Sequence, residues 1–87
     1  MNSFLTPDFW SGYSTLSKAE QAAARVAYAR FLEDPGHPSL RFGKLTGHTD
    51  LWYVRVTRSI RVVGRREGDE ITWFWIGSHA SFDHAFS

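Results

Sequence analysis

The apolar positions of the N-terminal third recur with the spacing of a helix. A threonine followed by a proline opens the first apolar segment, which predicts a helix over residues 7–16 with Thr6 as its N-cap. Ser17 and, three residues later, Glu20 make a capping-box pattern at the start of a second helix. This alanine-rich helix is predicted to end at Asp34-Pro35-Gly36. Together the two segments predict a helical hairpin.

From residue 40 onward the apolar period falls from about 3.6 to about 2, which is typical of strands. Strands are predicted at residues 40–45, 51–57, 60–66 and 70–76, and a weaker signal indicates one more at residues 3–6. Gly68-Asp69 predicts a two-residue hairpin turn between the last two. We therefore expect an α+β fold, in which an N-terminal helical hairpin packs on one face of a three- to five-stranded, mainly antiparallel sheet.

Alternation along these strands separates an apolar face from a basic face. We assume that residues 58–60 form a loop and that Thr57 pairs with Arg61. The apolar face then consists of Trp52, Val54, Val56, Val62, Gly64, Trp73 and Trp75. The opposite face carries Tyr53, Arg55, Arg61, Val63, Arg65, Thr72, Phe74 and Ile76. A slip of one residue would bury an arginine without a partner, so the register is well specified. The apolar face is predicted to contact the helices and the basic face to stay open.

Composition limits the class of protein. The 87 residues are enough for one domain, which we place over residues 1–87. The sequence has no cysteine, and therefore no disulfide or thiolate site. It has no apolar run long enough for a membrane span and no signal-peptide pattern, so we expect a cytoplasmic protein without a membrane partner.

The net charge of +1 hides a strongly basic middle segment. Residues 41–66 contain seven lysines and arginines against the single acid Asp50, while the segments on either side are acidic. A basic segment of this kind indicates a polyanionic or acidic partner. A solvated strand face would explain the same pattern.

Three stretches carry a resemblance to a known family. They are "DPGHPSLRFGKL", the arginine of "SIRVVG", and "WFWIGSHASFDH". With the order of helices and strands, they resemble the RelE/ParE superfamily, the toxins of type II toxin–antitoxin pairs. The resemblance implies a cognate antitoxin as partner. It also implies a metal-independent endoribonuclease, without a cofactor, that cuts messenger RNA on the ribosome and so inhibits translation. Within the same superfamily, the alternatives are a DNA gyrase inhibitor and a catalytically silent protein that binds only its antitoxin.

Metal-free RNA cleavage needs a base, an acid and cations for the charged transition state. Arg61 matches an arginine position of the family and is the first candidate for the phosphate, followed by Arg55. The alternative for Arg61 is an ion pair with Glu70 or Asp69. His79, in a Gly-Ser-His pattern similar to that of YafQ-like ribonuclease toxins, is the leading acid or base. The alternative is a histidine bonded to the strand end. His48 is the candidate second proton carrier, and Asp83 and His84 are candidate helpers.

The remaining candidates would hold the RNA chain. Arg41, Lys44, Arg58 and Arg65 are candidates for contacts with more distant phosphates, and Tyr53 and Phe82 for contacts with the RNA on the sheet face and with its bases. The spacing of His79, Asp83 and His84 is not one of the strong zinc patterns, so no metal site is predicted.

Overall fold

A five-stranded sheet lies between two helices on one face and a third helix on the other. The computed structural model describes residues 1–86. Its strands are β1 (Asn2–Leu5), β2 (Gly43–Lys44), β3 (Leu51–Arg55), β4 (Ile60–Glu67) and β5 (Glu70–Ser78). Its helices are α1 (Pro7–Ser14), α2 (Lys18–Glu33) and α3 (His79–Phe86), with a single 3-10 turn at Pro38–Leu40. The predicted α+β fold, with a helical hairpin on one face of a mainly antiparallel sheet, is confirmed.

Both helices of the hairpin begin at the caps expected from the sequence. The Thr6 hydroxyl accepts a bond of 3.2 Å from the amide of Phe9. At the start of α2, the Ser17 hydroxyl accepts from the Glu20 amide at 3.1 Å, and the Glu20 carboxylate accepts from the Ser17 amide at 2.9 Å. The capping box is therefore confirmed. Helix α1 ends at Ser14, two residues before the predicted position.

The strands follow the order β1-β5-β4-β3-β2. Strand β1 is parallel to β5, and the other neighbours are antiparallel. The weak strand signal at the N-terminus thus corresponds to a real edge strand. At the other edge, β2 has only two of the six residues predicted for this strand. Leu40 belongs to the 3-10 turn, and Arg41 ends that turn with a left-handed backbone. No helix within residues 1–86 is long and apolar enough to cross a membrane.

A polar link fastens β1 to the core. The indole Nε1 of Trp73, a residue only 2% exposed, donates to the Ser3 hydroxyl at 2.9 Å. The same hydroxyl lies 3.0 Å from that of Tyr28 on α2. Ser3 therefore satisfies a buried donor and joins the edge strand to both layers.

Replacing Ser3 by alanine is expected to lower the free energy of unfolding by about 1–3 kcal/mol, because the buried indole N–H loses its acceptor. Urea denaturation followed by tryptophan fluorescence measures the change. The matched control is Ser14→Ala, which removes an exposed hydroxyl bonded to the Ser11 carbonyl at 2.7 Å. An equal loss in the two variants would contradict the role of Ser3.

The register of β3 and β4 differs from the predicted one by two residues. Arg55, not Thr57, pairs with Arg61, and the chain turns through residues 56–59. Because side chains alternate with a period of two, this shift leaves every residue of the pair on its predicted face. Arg55 and Arg61 thus lie directly opposite each other on the face away from α1 and α2.

A β-bulge in β5 overturns part of the face assignment. Val63 pairs with Trp75 and Gly64 with Trp73, so Phe74 has no partner in β4. The extra residue reverses the alternation beyond it. Trp75 therefore lies on the face away from the hairpin, and Ile76, 4% exposed, lies in the helix-side core. Both residues were predicted on the opposite faces.

The second face of the sheet is also partly covered, which was not expected. Its buried residues are Leu45, Leu51 and Val63, and the aromatic side chains packed against them are Tyr53, Phe74, Trp75, Phe82 and Phe86. The last two belong to α3, which contributes no fully buried residue. Helix α3 is thus a cover over one part of this face, and the basic side chains lie beside it.

Candidate functional site

A cleft of about 410 Å³ lies between α3 and the segment around β2. Its lining residues are Lys44, Leu45, Thr46, Tyr53, Arg61, His79, Phe82 and Phe86. The volume is in the usual range for a small-molecule or nucleotide pocket. Aromatic and aliphatic side chains border cationic ones, an arrangement that suits a ligand with both a flat apolar part and an anionic part.

His79 is the first residue of α3 and has a fixed position. Its backbone amide donates to the carbonyl of Ser59 at 2.6 Å, and the amide of Ser81 donates to the Ser78 hydroxyl at 3.1 Å, which caps the helix. The imidazole Nε2 lies 3.3 Å from a carboxylate oxygen of Asp83, one helical turn further on. About half of each of these two side chains is exposed. The imidazole is therefore both oriented and accessible.

Arg61 and Arg55 bring two cations together beside the cleft. They form a direct cross-strand pair, and both are half-buried. The Nη1 of Arg61 donates to the carbonyl of Thr57 at 3.1 Å. Glu70 pairs with Glu67 at the far end of β4, so the register rules out the ion pair considered for Arg61.

Further arginine side chains act on Arg55. Desolvation, followed by repulsion from Arg41, Arg61 and Arg58, lowers the pKa of the Arg55 guanidinium below its ordinary value. A guanidinium remains charged at any physiological pH, so the repulsion persists. An anion bound here would relieve it.

Replacing Arg55 by glutamine is expected to raise the midpoint of thermal unfolding by roughly 1–4 °C at low salt, because like charges directly opposite on a sheet destabilise it. The gain should shrink as salt screens the repulsion. A thermal melt at two salt concentrations measures both effects. The control is Arg65→Gln, which removes an arginine paired with Asp50 at 2.8 Å and should not raise the midpoint. A lower midpoint for Arg55→Gln would contradict the interpretation.

Tyr53 and Phe82 form the aromatic floor. Their ring centroids lie 6.0 Å apart, and the Phe82 ring is nearly parallel to the His79 imidazole, with 17° between the planes. Phe82 also contacts Trp75 and Phe86. Phe82 therefore supports α3 and borders the cleft at the same time.

Two candidate residues do not line the cleft. His48 follows Leu45 and Thr46, which do line it, in the turn after β2, and its amide donates to the Leu45 carbonyl at 3.2 Å. Arg65 is bound to Asp50 and lies over the Phe74 ring, 5.7 Å from its centroid. Four residues of strand, about 13 Å, separate the position of Arg65 from that of Arg61. The structure thus brings Lys44, Tyr53, Arg61, His79 and Phe82 together in the cleft, with Arg55, Arg41 and Arg58 beside them.

The sequence interpretation missed several residues that line the cleft. Leu45 was assigned only to a short strand, and Thr46 and Phe86 received no role. A signal for Phe86 was present, because Phe82 and Phe86 are four residues apart, as are His79 and Asp83. This spacing places each pair on one side of a helix. Within residues 1–86, no cluster of three histidine or acidic residues is arranged to hold a metal ion.

Comparison with known proteins gives one family and one fold. Residues 18–84 match the family model of the ParE-like toxin domain. No curated protein matches the chain by sequence.

Several solved structures share the fold at low sequence identity. A chain of the RelB–RelE antitoxin–toxin complex from Methanococcus jannaschii superposes with a TM-score of 0.77 at 12% identity, over 97% of this chain and 99% of that one. The YoeB/ParE toxin from Agrobacterium tumefaciens gives a TM-score of 0.69 at 19% identity, over 91% and 99%. YafQ from Escherichia coli gives 0.67 at 10% identity, over 93% and 96%.

Proposed function

The chain belongs to the family of ParE-like toxin domains, and from this we propose that it is a toxin that cleaves messenger RNA on the ribosome and is neutralised by an antitoxin. The observation that carries the proposal is the convergence of Arg61, His79 and Tyr53 on one cleft. These side chains supply a cation for a phosphate and two groups that carry protons. A protein that only bound a partner would not need this combination.

The proposed reaction is an intramolecular transfer within the RNA. The 2′-hydroxyl of one nucleotide loses its proton and attacks the adjacent phosphorus. A 2′,3′-cyclic phosphate forms, and the 5′-oxygen of the next nucleotide leaves with a proton. Arg61 contacts the phosphate, and Arg55 beside it adds charge, so the two guanidiniums stabilise the negative charge of the transition state.

The orientation of the His79 ring determines which of its nitrogens exchanges a proton with the RNA. We assign the proton of the neutral imidazole to Nε2, which lies 3.3 Å from the Asp83 carboxylate, and this leaves Nδ1 as an acceptor. In the charged imidazolium, Nδ1 donates instead. His79 thus exchanges a proton with the RNA through Nδ1, while Asp83 orients the ring. The Tyr53 hydroxyl is the second proton-carrying group of the cleft.

The ribosome would supply the alignment of the message. The cleft is open and shallow, and it borders a strand edge and a helix with no fully buried residue. Holding the 2′-hydroxyl in line with the leaving oxygen contributes much of the rate in such reactions. An A site that presents the codon in a fixed form would make this contribution.

An antitoxin is the proposed protein partner. One relative of the same fold is a RelB–RelE antitoxin–toxin complex. For this chain, the arginines beside the cleft suit a segment with acidic side chains, which would occupy the place of the RNA phosphates.

Expression of the chain without its antitoxin, followed by mapping of RNA 5′ ends, tests the proposal. We expect growth arrest and new 5′ ends inside translated messages, in phase with codons. Arrest with intact RNA and altered DNA topology would replace the proposal by gyrase inhibition. Absence of arrest would indicate a protein that only binds its antitoxin.

A further inference from the structure

Three arginines lie in one row across the sheet. Arg61 of β4 pairs directly with Arg55 of β3. Gly43 pairs with Tyr53 in an antiparallel ladder, so Arg41, two residues before Gly43, reaches this sheet edge at the end of β3 that carries Arg55. The Arg61–Arg55 pair is perpendicular to the strands, at the spacing of neighbouring strands, about 4.8 Å. Arg41 continues the row beyond Arg55, at the β2 edge of the sheet.

His79 lies at the β5 end of this row of arginines. On β5 the residue opposite Arg61 is Gly77, and His79 follows two residues later. His79 and Arg61 both line the cleft. The order across the face is thus His79, Arg61, Arg55 and Arg41.

Arg41 has an unusual backbone. Its φ of 48° is the only positive φ of a non-glycine residue within residues 1–86. A residue without a Cβ would adopt this conformation with less strain. Its charge acts on Arg55, since Arg41 is among the cations that lower the pKa of that guanidinium.

A polyanion that ran along the strands from Arg61 would meet negative charges. Toward the far end of β4, Arg65 is already paired with Asp50. Beyond it Glu67 and Glu70 lie opposite each other, both exposed. An RNA chain that followed the strands would move from cations to carboxylates, whereas one that crossed them would meet an arginine at each step.

We propose that the RNA strand crosses the sheet, with three consecutive phosphates over Arg61, Arg55 and Arg41, and that the phosphate nearest His79 is the one cleaved. This inference rests on the proposed function and names the path of the substrate. It makes Arg41 a contact for the RNA two phosphates away from the reaction. The flexible arginine side chains adjust each guanidinium to the phosphate spacing.

The salt dependence of RNA binding tests the path. The probe is a fluorescent pentaribonucleotide with 2′-O-methyl groups, which cannot be cleaved. Each phosphate contact with a single strand contributes about −0.7 to the slope of log K against log salt. We expect a slope of roughly −2 for the wild type, and roughly −1.4 for Arg41→Gly. Glycine suits the left-handed backbone, so this variant should fold as well as the wild type, which a thermal melt checks.

Two controls separate the path from a general loss of charge. Arg25→Ala removes an exposed arginine of α2, on the opposite face, and should leave the slope unchanged. A dinucleotide with a single phosphate should bind the wild type and Arg41→Gly equally. An unchanged slope for Arg41→Gly on the pentanucleotide, or an equal change in Arg25→Ala, would overturn the proposal.

The outcomes also separate the path from the proposed function. If Arg41→Gly leaves the slope unchanged while the wild type cuts messages in cells, the path is wrong and the endonuclease stands. If the slopes follow the prediction while no message is cut, the row is an anion site and the endonuclease is wrong.

Discussion

Replacing His79 by alanine is expected to lower the rate of message cleavage on the ribosome by about 10²–10⁴-fold, the usual contribution of a positioned acid or base. The imidazole is half-exposed, and its contacts are with two side chains of its own helix, Asp83 and the Phe82 ring. The variant should therefore keep its thermal stability and its affinity for the antitoxin. The measurement is the single-turnover rate of cleavage of a message bound to purified ribosomes.

His84→Ala is the matched control for this prediction. His84 lies on the same short helix, is exposed, and does not line the cleft. Its loss should leave the rate within a few-fold of the wild type. If both variants lose the same activity, the effect belongs to the helix as a whole. If His79→Ala keeps full activity, the imidazole is not the acid or base.

Replacing Trp73 by alanine is expected to lower the free energy of unfolding by about 3–5 kcal/mol, the usual effect for a buried tryptophan. The side chain is 2% exposed, and its ring meets those of Phe31 and Phe42 at centroid distances of 5.3 and 6.4 Å. Gly64 fits closely beneath it, since a Cβ there would lie 2.6 Å from the ring. A chain of this length has a total stability of roughly 4–13 kcal/mol, so a loss of this size removes between about a quarter of it and all of it.

Trp10→Ala removes the same type of side chain from a site that is 50% exposed. It should cost at most about 1 kcal/mol, since its remaining contacts are ring contacts with Phe9 and Tyr13 on the same helix. Urea denaturation of the two variants gives the comparison. Comparable losses would show that Trp73 is not the centre of the core.

The sequence was most informative where structure depends on local patterns. Caps determine where a helix begins, and the Ser17–Glu20 box is a contact between residues three positions apart. Alternation determines which strand residues share a face. For this reason Arg55 and Arg61 were placed on one face even though their pairing was offset by two residues.

The errors arose where the structure depends on distant contacts. The extra residue of the bulge, Phe74, is neither a glycine nor a proline, and the glycine at the bulge, Gly64, is on the partner strand. The bulge reverses the faces of Trp75 and Ile76. Helix α3 is short, and it is held by an apolar patch that only the folded sheet creates around Leu45 and Val63. Neither feature can be deduced from the neighbouring residues alone.

In the candidate site too, residues on local patterns were placed correctly, and a residue whose place depends on distant contacts was not. Arg55 and Arg61 were found from strand alternation, and His79 from a short motif. His48 was proposed as the second partner because it lies in the loop before the middle strand. Which residues of a turn face a site depends on the pairing of the strands, and here Leu45 and Thr46 of that turn line the cleft while His48 does not.

The most direct test of the central claim is incubation of the purified protein with ribosomes that hold a defined codon in the A site. We expect a single cut within that codon, with a 2′,3′-cyclic phosphate on one fragment and a 5′-hydroxyl on the other. The cut should require both the ribosome and His79. Intact message after incubation with folded protein, or a cut that His79→Ala makes equally well, would show that this protein is not an endonuclease that depends on His79.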